Sequence, residues 1–282
     1  MNFKVSIMCN VLEVDRSSYY HWEQQKYRTK KRDEKLSKLI KEIFVKSRRN
    51  YGTRRIKERL EKAQGVLVSR RRIGTIMREL GLKAKATKKY KVSTTDSNHQ
   101  LPVSPNIVNR DFSSSKVDEK YVGDITYIPT KEGWLYLATV IDLYSRKVVG
   151  WSMADNMKAS LVNDALNMAI TRRKPAKGLI WHTDRGSQYA SISHRKLIHE
   201  NGIIQSMSRK GNCWDNAVAE SFFHTLKTEL IYDEIYETKA QANQSIFEYI
   251  EVYYNKQRIH SANNYLSPVE FENAMLLNET VA

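Results

Sequence analysis

Cysteine is scarce: Cys9 and Cys213 are the only two in 282 residues, and they lie too far apart for a CxxC pair. This argues against a disulfide framework or a zinc ribbon and predicts a reducing cytoplasm. Long apolar runs are missing too. No stretch of 18 or more apolar residues occurs, so no membrane span or membrane partner is expected. The opening MNFKVSIMCNVLEVDR has too short an apolar run, and too early an acid, for a secretory signal. His182, His194 and His199 show no metal-ligand spacing, so zinc is not expected.

Charge is present in excess and unevenly. The formal net charge is +16, yet residues 1–100 hold 27 Lys/Arg against 10 Asp/Glu, while the remainder holds 20 against 21. Solubility requires no such segregation. Clustered cations suit a polyphosphate bound with counterion release, which predicts that the N-terminal part binds nucleic acid. Helical spacing runs through Leu36, Leu39, Ile40, Ile43 and Phe44, and Ile56 and Leu60 share a face in YGTRRIKERL. Ser69 is a predicted N-cap ahead of the stripe Ile73, Ile76, Met77 and Leu80, and Gly81 is a predicted stop. Two short helices, the second opening on Arg70-Arg71-Arg72, form a candidate helix-turn-helix. A weaker helical pair is expected at Ile7–Leu12 and Ser17–Trp22.

Residues 83–115 are polar and basic, carry Pro102 and Pro105, and read as a linker containing Lys88 and Lys89. From Tyr121 the pattern changes to strands. VGDITYI, WLYLATVIDL and RKVVGWSMA are three, a helix carries Leu161, Val162, Ala165, Leu166 and Ala169, and GLIWHTD is a fourth strand. A helix near Ser193–Glu200, a strand at Ile203–Met207 and a helix over Asn216–Tyr232 complete the order βββαβαβα.

Three acids occupy informative places in that order. Asp124 interrupts an apolar strand, where a charge is costly unless it is paired or coordinates a metal. Asp184 follows the fourth strand, and Glu220 lies on the helix anchored by Phe222 and Phe223. Hard oxygens with no histidine or cysteine beside them suit magnesium or manganese. Lys227, seven residues after Glu220, falls on nearly the same helical face.

The acids stand with 59 and then 35 intervening residues, and six separate Glu220 from Lys227. With the phrases SSYYHW, YGTRRI, NRDF, GDITYI, GWLYLATVIDLYSRKVVGW, HTDRGSQY, SRKGNCWDNAVAESFFHTLKTEL and YNKQRIHSANNYLSPVEF, the chain resembles the DDE transposases of insertion sequences. The likeness is to the OrfB type of the two-frame, IS-three group, with a core like that of retroviral integrases. Tyr121 stands where a tryptophan is usual, and SANNY replaces a small-Leu-Gly stretch; neither touches the acids.

The resemblance implies an α/β fold: a ribonuclease-H-like catalytic core, a mixed five-stranded sheet flanked by helices, preceded by a small all-α helix-turn-helix region. The expected boundaries are 1–82 for the DNA-binding region, 83–115 for the linker, 116–235 for the core and 236–282 for a C-terminal helical extension. It further implies that Asp124, Asp184 and Glu220 are catalytic and hold two Mg2+ or Mn2+ ions during strand cleavage and transfer at the element's ends. The expected DNA contacts are Arg54, Arg55, Arg70, Arg71, Arg72, Lys88, Lys89, Lys227 and Arg258, with His260 near the rim. Double-stranded DNA, a second copy of the chain and an upstream-frame segment are the expected partners, and the bacterial nucleoid the expected place.

Other residues receive structural readings. Gly186 is read as allowing a sharp turn after Asp184 or as an ordinary loop glycine, Trp214 as anchoring its loop or stacking on a splayed base, Asn216 as capping the Glu220 helix, and Asp142 as an acid outside the catalytic set. One rival remains open: a DNA-binding repressor whose core is idle. A ribonuclease or resolvase accounts less well for the basic helices in front.

Overall fold

The computed structural model describes residues 4–85 and 100–281; the side chains of residues 26–33, 213 and 278–281 are not described. Lys88 and Lys89 lie outside the described residues. The chain divides into two compact units, residues 1–85 and 86–282.

The first unit contains four helices: α1 (Val5–Val11), α2 (Arg16–Lys46), α3 (Thr53–Gln64) and α4 (Arg70–Glu79). Its core is small, built on Leu36, Ile40, Phe44, Tyr51, Ile56, Leu60, Ile73, Ile76 and Met77. Of the expected stripe positions, Leu36, Ile40, Phe44, Ile56, Leu60, Ile73, Ile76 and Met77 are buried, Leu39 and Ile43 are half-buried, and Leu80 is 40% exposed. The Ser69 hydroxyl accepts the Arg72 amide at 3.2 Å, as a cap must. Gly65 and Gly81, at φ +62 and +64, end α3 and α4 in the left-handed conformation that glycine adopts without strain. One expectation is corrected. The segment Ser17–Trp22 and the stripe at Leu36–Phe44 belong to a single 31-residue helix, because no glycine or proline interrupts residues 16–46.

The second unit is built on one sheet: β1 (Lys120–Thr130), β2 (Gly133–Asp142), β3 (Val148–Ala154), β4 (Ile180–Thr183) and β5 (Ile204–Met207). The order is β3-β2-β1-β4-β5. β1, β2 and β3 are antiparallel neighbours, whereas β4 and β5 run parallel to β1. The helices are α5 (Ala159–Arg173), α6 (Ser187–Ala190), α7 (Ile192–Glu200), α8 (Ala217–Glu229), α9 (Lys239–Glu248) and α10 (Pro268–Val281). A π-helical turn, Tyr249–Tyr254, continues α9. This is the mixed, helix-flanked sheet of the ribonuclease-H-like fold.

Alternation along the strands splits the core in two. Tyr121, Ile125, Ala138 and Val140 pack with Leu161, Ala165 and Ile198 of α5 and α7. Val122, Ile128, Leu137 and Ile141 pack with Ala219, Phe222, Phe223 and Leu226 of α8, and with Ile246 of α9. The period-two pleat therefore assigns every residue of β1 to one of two faces. Asp124, in step with Val122 and Ile128, falls on the α8 face.

The stretch read as the end of the linker is tied to this sheet. Ile107 and Val108 donate their amides to the Ser206 hydroxyl at 2.9 and 3.3 Å, and Met207 donates to the Pro105 carbonyl at 3.3 Å. At the other end, buried Glu272 of α10 receives Lys147 at 2.7 Å and Arg173 at 3.1 Å. It thereby pins the C-terminal helix to the β2–β3 turn and to α5.

Candidate active site

Sheet register brings the first two acids together. β1 and β4 pair in parallel through Val122 and His182; Asp124 and Asp184 each lie two residues further on. They therefore occupy equivalent positions at the point where the two strands part, on neighbouring strands spaced about 4.8 Å apart. A switch point at the carboxyl end of parallel strands is where open α/β sheets form their binding crevices.

Both carboxylates are held from below. The Ile125 amide donates to Asp124 Oδ1 at 2.8 Å, and the Gly186 amide donates to Asp184 Oδ1 at 2.9 Å. The Asp124 carboxyl is pushed well above the usual carboxylate range, first by burial, then by Asp184 and Glu220, against the pull of Ile125 and Lys227. Glu220 sits in the first turn of α8. The residue is exposed, and burial of its carboxyl end raises its pKa.

Among the described residues, no three His, Cys, Asp or Glu side chains form a preformed metal-holding group. Asp124 and Asp184 are gathered by the sheet, while Glu220 is within electrostatic range but outside that pair. Three like charges repel one another unless a cation compensates them. The donor set nevertheless fits a hard divalent ion: all oxygen, with a carboxylate that burial and neighbouring charge disfavour until positive charge arrives.

Lys227 supplies a cation nearby. Its Nζ lies 4.5 Å from the centroid of the Tyr127 ring, a cation–π distance. Burial lowers its pKa and Asp124 opposes that shift, so its ammonium is half-buried and coupled to the acid pair. Trp134 meets Tyr127 edge-on at 4.8 Å.

The turn before α8 is locked by residues that sequence reasoning passed over. Asp215, fully buried, accepts from Arg209 Nε at 2.8 Å, Arg110 Nε at 2.9 Å and Asn106 Nδ2 at 2.9 Å. These bonds hold its carboxyl far below the usual range, the Arg209 side chain contributing most. His182 Nε2 contacts the Asp215 carbonyl and Nδ1 contacts the Ser206 hydroxyl, both at 2.8 Å. A carbonyl only accepts, so Nε2 carries the proton and Ser206 donates to Nδ1. Arg110 and Asp215 are 105 residues apart, so no local pattern announces their pairing.

Several expectations are corrected here. Asn216 does not cap α8 with its side chain; its Nδ2 donates to the Gly123 carbonyl at 3.2 Å, tying α8 to β1 one residue before Asp124. Gly186 has φ −60, open to any residue. Glycine is favoured there because a Cβ would come within 2.9 Å of Gln188 Oε1 and 3.0 Å of Asp184 Oδ1. Gly123 is tighter still, since a Cβ would meet the buried Trp181 ring at 2.1 Å. Trp214 anchors nothing: it is 69% exposed. Arg258, expected on DNA, is 4% exposed and binds Glu229 through Nη2 at 2.8 Å and Nε at 2.9 Å. Tyr249 donates to the same carboxylate at 2.9 Å, so Arg258 is a strut inside the fold. His260 accepts the Ala262 amide within its own turn.

Other polar residues are paired inside the fold. Asp142 is buried against Ser145. The Trp181 indole donates to His194 Nε2 at 2.9 Å, leaving the His194 Nδ1 proton for Asn163 Oδ1 at 2.7 Å; burial lowers the His194 pKa to about 4. In the first unit, Arg54, Arg70 and Arg71 are exposed, Arg72 is half-buried, and half-buried Arg55 lies over the Tyr51 ring at 5.5 Å.

Comparison with known proteins accords with this architecture. The family described as Integrase core domain matches residues 114–213, a second family of that description matches 220–276, and an HTH-like domain matches 31–90. Transposase InsF for insertion sequence IS3A of Escherichia coli K12 is 43% identical over 277 residues, covering 97% of this chain and 96% of the relative. The insertion element IS600 uncharacterized 31 kDa protein of Shigella sonnei is 42% identical over 265 residues, covering 94% and 97%. Two solved structures are also similar. A simian T-cell lymphotropic virus intasome in complex with the PP2A regulatory subunit B56 gamma matches at TM-score 0.48 and 14% identity, covering 77% of this chain and 70% of that one. The HTLV-2 integrase catalytic core domain in complex with magnesium matches at TM-score 0.43 and 15% identity, covering 57% and 99%. With relatives above 40% identity spanning almost its whole length, the chain belongs to the transposases of IS3-type insertion sequences, polynucleotidyl transferases that act in DNA transposition and integration.

Proposed function

We infer that this transposase is a DDE enzyme in which Asp124, Asp184 and Glu220 hold two divalent ions, Mg2+ or Mn2+, while strands are cut and joined at the ends of its element. The observation that carries this reading is the parallel register that places Asp124 and Asp184 at equivalent positions where β1 and β4 part. When bound, the ions supply activation of the attacking hydroxyl and stabilisation of the leaving oxygen.

The chain's own residues do the rest. Asp124 and Asp184 stay fixed by the Ile125 and Gly186 amides, so the pair is preorganised. Glu220, exposed on the first turn of α8, completes the set from the helix side. Lys227, held on the Tyr127 ring, presents an ammonium to the phosphodiester beside the acids. Neither Tyr127 nor Ser187 acts as a nucleophile in this reading. Arg54, Arg55, Arg70, Arg71 and Arg72 neutralise phosphates of the terminal repeat, with Lys88 and Lys89 assigned to the same backbone. Residues 1–82 then serve as the DNA-binding region, 83–115 as the approach to the core, 116–235 as the catalytic core and 236–282 as its helical extension. Two element ends require at least a dimer on DNA, with an upstream-frame segment as a further partner, and place the protein at the bacterial nucleoid. Among the described residues no helix is long and apolar enough to cross a membrane.

The test uses the full chain, Mg2+ or Mn2+, and oligonucleotides carrying the terminal repeats. Glu220→Gln is expected to abolish nicking and joining while duplex binding persists. A mutant that cleaves as well as the parent overturns the assignment of Glu220. A parent that binds the repeats yet never cuts under any of these conditions favours the idle-core reading.

A further inference from the structure

Two buried polar atoms on either side of Asp124 have no hydrogen-bond partner: the Thr139 hydroxyl and the Asn216 side-chain oxygen. Thr139 is 1% exposed and Asn216 4%, so bulk water does not satisfy them. Leaving such groups buried is unfavourable, and in a native fold each asks for a reason. A valine at 139 would fill the same space on the strand without an orphaned oxygen.

Position supplies the reason. Thr139 is the register partner of Asp124 across β1 and β2, on the same face of the sheet. Directly opposed Cβ atoms in an antiparallel pair lie about 4.5–5.5 Å apart, within reach of a hydroxyl on one side and a carboxylate on the other. Asn216 approaches from α8, where its amide is bonded to the Gly123 carbonyl, the peptide group that leads into Asp124. Oδ1 of Asp124 is engaged by the Ile125 amide, and among the described residues no donor reaches its second oxygen.

We propose that Thr139 and Asn216 are positioning residues of the carboxylate site. The Thr139 hydroxyl, opposite Asp124 across β1 and β2, donates to the second oxygen of the Asp124 carboxylate when it holds its ligand. The Asn216 oxygen accepts from a water held beside the same ligand. Both atoms are without partners here because the arrangement they serve is completed only when the divalent ion binds: Thr139 then holds the Asp124 carboxylate and Asn216 a water. The inference rests on the reading of Asp124, Asp184 and Glu220 as ion-holding acids, and extends it to two neutral side chains that no composition or charge pattern singles out.

The experiment compares the full-length parent with Thr139→Val, Thr139→Ser, Asn216→Ala and Asp124→Asn. Three quantities are read: Mn2+ affinity by calorimetry without DNA, strand joining on repeat oligonucleotides, and thermal unfolding in metal-free buffer. Thr139→Val is expected to unfold at or above the parental temperature, because it removes an unsatisfied buried group. It should bind Mn2+ and join strands about 10-fold or more below the parent, the size of loss seen when residues that orient metal ligands are removed. Thr139→Ser should restore both. Asn216→Ala should lose Mn2+ affinity in the same way; if it fails to fold, the two Thr139 variants decide the matter alone. Parental Mn2+ affinity and joining in Thr139→Val overturn the proposal, as does a large drop in its unfolding temperature, which would make Thr139 a packing residue. Asp124→Asn separates the two layers of argument. If it joins strands normally, the carboxylate reading itself fails. If it is inactive while Thr139→Val is parental, only the present inference fails.

Discussion

The two units handle arginine in opposite ways. In the helical unit the core is a thin set of aliphatic side chains, and Arg54, Arg70 and Arg71 remain at its surface. In the sheet unit Arg258 is sealed against Glu229 and Tyr249, and Arg173 bridges Asp118 and Glu272 at 2.8 and 3.1 Å. The difference lies in the partners. Residues 1–100 carry 27 Lys/Arg against 10 Asp/Glu, so their charge cannot balance internally, and such an excess suits an external polyanion. The near-balanced remainder pairs its cations inside, where they brace the fold.

Two variants sharpen or break this contrast, and a third tests the buried charge of the sheet unit. The largest effect is expected from Arg258→Ala. Removing one partner of a buried pair strands the other, at a cost of about 3–5 kcal/mol, measured by denaturant unfolding of the full chain. A variant of parental stability that has lost DNA affinity would return Arg258 to the DNA interface. Next comes Arg70→Ala combined with Arg71→Ala and Arg72→Ala. Each phosphate that is no longer neutralised should reduce the log–log salt slope of duplex binding by about 0.9, with stability changing by roughly 0.5 kcal/mol or less per exposed site. An unchanged slope would mean these arginines do not touch the backbone.

The smallest effect concerns Asp142, whose pKa burial pushes up to about 6 against the hydrogen bonds from Ser145. Ser145 Oγ lies 2.8 Å from Asp142 Oδ2 and 2.9 Å from Glu272 Oε1, and one hydroxyl proton cannot serve both. Below that pKa the Asp142 carboxyl supplies the second proton. A folded-state pKa raised above the unfolded one contributes stability that is present at low pH and lost as pH rises through about 6. Asp142→Asn removes that dependence. The unfolding temperature of the variant minus that of the parent should rise by a few °C between about pH 5 and pH 7. A difference that stays flat across this range would show that Asp142 does not titrate there.

Most of the architecture was legible because it follows short-range periodicities. Period two marked β1, a nearly continuous apolar run marked β2, period 3.6 marked α3, α4 and α5, and the Ser69 cap announced itself locally. Asp124 and Asp184 stood out because charge inside an apolar strand or at its end is costly enough to be noticed, whereas Glu220, exposed on a helix, stood out through its spacing from them. What escaped depends on which side chains meet across long separations. Arg258 sits in a polar phrase that reads as surface, and only the packing of α8 against the π-helical turn seals it. Asn216 stands at a helix start, where capping is the default; nothing nearby shows that Gly123, 93 residues away, offers its side chain a different acceptor. Gly186 was read through its backbone, whereas the constraint comes from the carboxylate it must leave room for. Ser17–Trp22 and Leu36–Phe44 read as separate segments because the stretch between them has no apolar period, yet its Glu, Gln, Lys and Arg are good helix formers and no glycine or proline breaks it.

The amino-acid order alone determined the segregation of charge and the sequence of strands and helices, since each is written in the spacing of neighbouring residues, and it singled out the three acids proposed to hold the ions. Only the tertiary structure decided that Asp124 and Asp184 are adjacent, that Glu220 remains apart from them, and that Thr139 and Asn216 flank the first acid. Those relations are set by strand register and by the packing of α8 on one face of the sheet, and a pleat shifted by a single residue would turn the same side chains to the opposite face.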